Sequence, residues 1–141
     1  MSPSRTLPPW LIGVPFVDGG RDPARDGGVD CWGLVMLAAK TLGVKLPDWP
    51  GVSCDDSASV GSIMGTEALD PSRWTPLEKP DVGAVVLFKT DPDYPDVLNH
   101  AGICIGGPWF LHTQRKHESV RARLDNPRWR LALGGIWRWN G

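Results

Sequence analysis

Three residues of this chain have the types that nucleophilic acyl chemistry requires: Cys31, His100 and His112. A thiol attacks a carbonyl when a base takes its proton, and the base needs a third group to hold its ring. Cys31 follows Asp30 directly in GGVDCWGLVMLAAKTLG, residues 27–43, at the point where a helix is expected to begin. Free N–H groups and the positive dipole end of a helix start favour a negative sulfur. A neighbouring imidazolium lowers the thiol pKa further, so the residue types predict a resting thiolate–imidazolium pair. The same N–H groups, that of Cys31 included, are placed to accept the oxyanion of a tetrahedral intermediate. A plainer reading stands beside this one: free cysteine is often only a small buried hydrophobe, and Asp30 only an N-cap.

The candidate bases lie in the second half of the chain. His100 opens HAGICIG, and His112 lies in WFLHTQ, with the turn GGP between them. Two adjacent antiparallel strands would set these rings side by side on one face. His112 would then fix the tautomer of His100 and leave its other ring nitrogen for Cys31. His117, in the polar run TQRKHES, reads as a solvated loop residue. Cys104 alternates with His100 through Gly102 and is expected on the same side, whereas neither Cys54 nor Cys104 has a helix-start context. His112, His117 and Cys104 lack the paired spacing of metal ligands, so no metal and no cofactor is expected.

These residues need elements to carry them. Leu34, Val35, Leu37, Ala38 and Leu42 follow helical spacing, Asp30 is a good N-cap and Gly43 a good stop, which predicts a helix over 30–42. VDGGRDPARDGGVD, residues 17–30, reads as a loop delivering the chain to Cys31. SASVGSIMGTEALD reads as a weak helix broken by Gly61 and Gly65, and residues 74–77 as a short strand or turn. Strands are predicted over Gly83–Lys89, His100–Gly106, Trp109–Gln114, the segment SVRARLD and Ile136–Asn140. A helix followed by a meander of strands is an α+β arrangement.

The 141 residues suit a single domain over 1–141, which buries roughly 70% of its unfolded surface without a metal or disulfide. A net charge of −1 argues against a broad electrostatic grip on nucleic acid or anionic lipid. Three cysteines without close spacing argue against a disulfide framework and a zinc site, and fit synthesis in a reducing compartment. MSPSRTLPPWLIGVPF has no continuous apolar run, so neither a signal peptide nor a membrane span is expected. Of the eight tryptophans, Trp137 and Trp139 alternate like one face of a strand, and an exposed aromatic C-terminus would suit docking.

The order of these parts resembles the NlpC-type cysteine peptidases, a bacterial branch of the papain-like enzymes. The likeness rests on GVPFVDGG, VDCWGLV, PDVGAVVLF, NHAGICIGGPWFLH and the closing GGIWRW, and runs from Gly13 to the end. The Asp-Cys-Trp-Gly-Leu form and the terminal tryptophan–arginine strand look most like the branch found in tail-assembly proteins of long-tailed phages and related gene-transfer particles. The resemblance implies a Cys31-bearing helix on an antiparallel sheet of about five or six strands. It implies a peptidoglycan hydrolase that cuts stem peptides at the D-glutamyl–diamino acid bond. Cys31 would be the nucleophile, His100 the base and acid, His112 the orienting group, and Asp30 a ligand for a free amino group of the stem peptide. Neighbouring tail proteins would be partners, and the place of action the cell wall or periplasm. Two departures bear on substrate preference: Phe16 stands where many relatives have tyrosine, and Ala84 where many have aspartate. Beside the hydrolase stand two other readings: a structural tail-tip part without turnover, and a thiol acyltransferase, because the same triad supports transfer when water is excluded.

Overall fold

The computed structural model describes residues 7–48, 56–68 and 70–141. Cys54 and Leu69, about which the sequence raised expectations, lie outside them. After a 3-10 turn over Pro9–Leu11, the chain enters the glycine-rich loop, which holds one short helix, α1 (Pro23–Asp26). The sequence reads this stretch as loop only. The turn forms because Asp22 accepts from the Ala24 N–H, Pro23 sits where no N–H is needed, and Gly27 closes it at φ 80°.

α2 spans Cys31–Thr41, against the expected 30–42. The Asp30 side chain caps it by accepting from the Gly33 N–H, and Gly43 follows at φ 81°. Leu34, Val35, Ala38 and Ala39 are buried, and Lys40 faces solvent. α3 (Ser57–Ala68) is continuous through both glycines, because Val60 and Met64, one turn apart, are buried in the core.

Six strands follow: β1 (Trp74–Leu77), β2 (Val85–Phe88), β3 (His100–Gly106), β4 (Trp109–His112), β5 (Val120–Arg123) and β6 (Leu133–Trp139). They form one antiparallel sheet in the order β1-β6-β2-β3-β4-β5. The expected meander holds from β2 to β5. β6 departs from it by inserting between β1 and β2. A helix absent from the sequence reading, α4 (Pro127–Ala132), comes between β5 and this last strand, capped by Asn126 and started by Pro127. β1 is left at the edge, where Pro76 costs no ladder bond.

Strand alternation divides the core in two. One face, with Val85, Leu87, Ala101, Ile103 and Leu111, carries α2. The other, with Val86, Phe88, Cys104, Phe110 and Ile136, carries Trp129 of α4. Trp137 and Trp139 are half-buried rather than exposed. Trp139 meets Trp74 edge-on at 4.9 Å, and Trp74 meets Trp32 at 6.5 Å, so these indoles join β6, β1 and α2. The docking surface expected at the C-terminus is therefore an internal seam. No helix among the described residues is long and apolar enough to cross a membrane.

Candidate active site

Cys31 is the first residue of α2, and its thiol is almost wholly buried. The backbone N–H groups of Ala101 and Trp32 bond to the sulfur. The first of these fixes its place in the fold: the sulfur lies against the β3 backbone at the residue after His100. Burial pushes the thiol up to about 12; the Asp30 carboxylate adds to the rise, and the two N–H groups and Arg21 oppose it.

His100 begins β3 opposite Phe88, and His112 ends β4 on the same face as Phe110. The sheet brings the two rings together, with His100 Nε2 and His112 Nδ1 2.9 Å apart. This is the side-by-side arrangement that antiparallel pairing predicts. It leaves Nδ1 of His100 as the ring nitrogen not engaged by His112. Burial pushes His100 down to about 3, with His112 and Arg128 contributing, and His112 down to about 4, with Arg128 and His117 contributing. Desolvation therefore sets the closed site to rest as neutral thiol and neutral imidazole. Burial thus works against the thiolate–imidazolium pair expected from the helix start.

Trp129 escaped the sequence reading. Its indole stacks on His100 at 5.8 Å and 29°, and meets His112 edge-on at 4.6 Å. The signal was present in DNPRW, where Asn126 and Pro127 form a good helix start three residues ahead of an aromatic. Its contact with histidines two strands away is tertiary and has no local signature.

Asp30 is buried, and its carboxylate is committed. Oδ1 accepts from the Gly33 N–H at 2.8 Å and from Arg21 Nη1 at 2.6 Å, and Oδ2 accepts from the Gly19 N–H at 3.1 Å. Arg21 also donates through Nε to Asp48 at 2.8 Å. Oδ2 accepts a single bond, so the expected contact between Asp30 and a substrate amine has a lone pair left to use, although the Arg21 charge stands beside it. The role visible here is that of cap and anchor. Gly33 has to be glycine, because a Cβ there would run into the Gly20 carbonyl oxygen. The loop thus lies directly on the first turn of α2.

Phe16 reaches the same region. It bridges to Val29, two residues before Cys31, and Arg115 stands over its ring at 5.4 Å. A cation therefore lies over the Phe16 ring. His117 is exposed, as its polar run predicts. Cys104 shares the His100 face but is sealed among Phe88 and Phe110, with burial pushing its thiol up to about 12. Among the described residues no group of three or more His, Cys, Asp or Glu side chains is placed to hold a metal.

Residues 13–138 match the NlpC/P60 family, and the chain belongs to it. It is 32% identical over 110 residues to proteins named probable endopeptidases in Mycobacterium bovis and Mycobacterium tuberculosis. That match covers 78% of this chain and 22% of theirs, so the chain spans about a fifth of the length of these relatives. Among solved structures it is similar to NlpC2 of Trichomonas vaginalis, with TM-score 0.63 and 18% identity over 92% of this chain and 44% of that one. An NLP/P60 family protein of Staphylococcus aureus gives 0.60 and 21% over 92% and 37%. The NlpC/p60 domain of the peptidoglycan hydrolase SagA gives 0.53 and 20% over 91% and 88%. The fold is the papain-like α+β architecture of this family.

Proposed function

We propose that the chain is a cysteine peptidase of peptidoglycan stem peptides. The single observation that carries this is the buried His100–His112 pair at 2.9 Å, set at the strand end whose next amide bonds the Cys31 sulfur. Family membership and the printed names of the mycobacterial and SagA proteins support the substrate class.

The chemistry follows from the neutral resting site. His100 keeps its proton on Nε2, donated to His112 Nδ1, and offers the lone pair of Nδ1. As Cys31 Sγ bonds to the carbonyl carbon, its proton moves to that nitrogen. With the Gly33 N–H taken by Asp30 and the Trp32 N–H by the sulfur, the Cys31 N–H is the first-turn donor left for the developing oxyanion. The C–N bond then breaks, and His100 returns the proton to the leaving amine. Water, deprotonated by the same imidazole, releases the acyl group from sulfur. His112 shares the transient positive charge, and Trp129 keeps water off the pair.

The bond we assign is that between D-glutamate and the diamino acid. We also propose that the domain acts from a phage-like tail, opening the wall during DNA delivery; the DCWGLV form of the helix start supports this setting. The docking tryptophans that would have favoured a purely structural tail-tip part are turned inward. Purified sacculi test the central reading. The wild-type chain should release stem-peptide fragments, and Cys31→Ala should release none. Equal release by both proteins would overturn it. Particles carrying Cys31→Ala should assemble normally and fail at infection; missing tails would instead favour the structural role.

A further inference from the structure

The overall charge of −1 hides a division along the chain. Residues 1–114 hold eight Lys and Arg against fourteen Asp and Glu, whereas residues 115–141 hold seven against two. The fold gathers four arginines of the second group on one flank, around β5, the outer strand beside β4, and α4, which follows it. Arg121 and Arg123 stand on the same face of β5 and share one indole, lying over the Trp109 ring at 4.9 and 5.1 Å. Arg123 also forks onto Asp125 through Nε and Nη2, both at 2.8 Å. That fork holds the Asp125 carboxyl below its usual range, and Arg130 of α4 adds to the effect from nearby. Arg128 stands over Trp129 at 4.8 Å, on a wall it shares with Val120 and Ala122. All four arginines are exposed. Asp125 satisfies Arg123, whereas Arg121, Arg128 and Arg130 have no ion-pair partner among the described residues.

A charged edge strand keeps a sheet from pairing with its neighbours, and one or two arginines on β5 would suffice for that. Here the guanidiniums extend past the strand onto α4, and three carry no counter-ion. Stacking on Trp109 and Trp129 occupies flat faces and leaves N–H forks free, the arrangement that binds carboxylates and phosphates bidentately. The flank begins one strand away from His112, whose register partner on β5 is Val120. Charges strung along a flexible polymer suit such an open flank, whereas a single small anion needs an enclosing site. We infer that the β5–α4 flank is a docking surface for a polyanion, namely the carboxylate-bearing stem peptides of wall polymer adjoining the one in the active site. This rests on the peptidase reading above, which puts that polymer beside the molecule, and it adds a hold on the wall that is separate from the catalytic groups.

Cosedimentation of the Cys31→Ala chain with purified sacculi measures this hold without turnover. Binding should weaken about tenfold or more between about 50 and about 300 mM salt, because exposed charges are screened. Adding Arg121→Gln with Arg130→Gln should weaken it about fivefold at low salt. Adding Lys45→Gln with Lys79→Gln removes the same charge elsewhere on the surface and should leave binding as it was. Sacculi whose carboxylates have been converted to amides should be bound as weakly as intact sacculi are by the arginine pair variant. With Cys31 in place, the arginine pair should raise KM for sacculi by more than it raises KM for a short soluble stem peptide, a split that a folding defect does not give. Equal binding by the arginine and lysine pair variants, or of intact and amidated sacculi, overturns the inference. So does tighter binding to duplex DNA or to anionic phospholipid vesicles than to sacculi, lost in the arginine pair, which assigns the flank to that partner instead. If sacculi are bound through the flank but not cut by the unaltered chain, the surface stands and the hydrolase reading falls. If they are cut and the arginine pair binds them undiminished, the hydrolase reading stands and the surface falls.

Discussion

His100 Nε2 and His112 Nδ1 stand 2.9 Å apart under the Trp129 indole, so each ring fixes the orientation of the other. One proton lies between them, and the tautomer that frees His100 Nδ1 as a base requires His112 Nδ1 to be the acceptor. Asparagine can place its side-chain oxygen near that position; alanine cannot. His112→Ala is therefore expected to lower kcat by about 10²–10⁴, the range associated with a positioned acid–base group. His112→Asn should retain most of what alanine loses. Sacculus hydrolysis rates, with thermal melts to show that both variants fold, check this.

The neutral resting site has consequences for pH. Both imidazoles are held below the ordinary 6.5, mainly by burial. A histidine with a depressed folded pKa binds its proton more readily in the unfolded chain. The associated stability is complete above about pH 6.5 and drains away as pH falls through the folded values near 4 and 3. Melting temperature should fall steadily below pH 6, and His112→Gln should flatten that slope. The thiol gives the opposite limb. With Cys31 raised to about 12, alkylation by iodoacetamide should be slow at pH 7 and still rising at pH 9. A plateau reached by pH 6 would show a resting thiolate and sink the general-base route.

Much of this arrangement was legible in the sequence, and the parts that were not share a cause. Helix α2 was readable because cap, apolar spacing and terminal glycine agree within one local window. β3 and β4 were readable because a glycine turn separates two apolar runs, and pairing rules then put His100 and His112 on one face. The insertion of β6 was hidden because a six-residue helix reverses the chain without a long periodic signal. The charge state of Cys31 was hidden for a different reason. A helix start is a local property, but the burial that raises the thiol is a product of tertiary packing, in which α2 lies on β3, more than sixty positions away. Asp30 shows the same limit: its cap was visible, and its ion pair with Arg21 was not.

Gly33 tests how firmly the loop seats the nucleophile. The Gly20 carbonyl oxygen lies where a Cβ of residue 33 would stand, so Gly33→Ala must push the loop away from the first turn of α2. Overpacking of this kind costs about 1–3 kcal/mol. The same displacement moves Gly19 and Arg21 away from Asp30. We expect a lower melting temperature together with a loss of hydrolysis larger than the fraction unfolded accounts for. Gly43→Ala serves as the comparison. Nothing lies within 4 Å of its missing side chain, so its positive φ alone should cost stability, with specific activity unchanged.

Arg21 is the counter-ion that makes a buried Asp30 tolerable next to a thiol that must lose its proton. Its Nη1 lies 2.6 Å from Asp30 Oδ1, and its Nε holds Asp48, which follows α2 in the chain and returns to its first turn, where the Pro47 carbonyl accepts from Trp32 Nε1. Arg21→Gln leaves the Asp30 charge buried with only the two backbone donors. Breaking a fully buried pair costs about 3–5 kcal/mol, and the partial exposure of Arg21 places this case toward or below the lower end. The electrostatic effect is separable from the loss of stability. Asp30 raises the Cys31 thiol and Arg21 lowers it, so removing Arg21 should make the sulfur harder to ionise and slow alkylation at pH 9. Arg21→Gln paired with Asp30→Asn removes both charges while keeping an oxygen for the Gly33 N–H. The double variant should therefore recover the alkylation rate that the single variant loses. Equal rates in the wild type and Arg21→Gln, measured under conditions where both are folded, would show that the ion pair anchors the loop without tuning the sulfur.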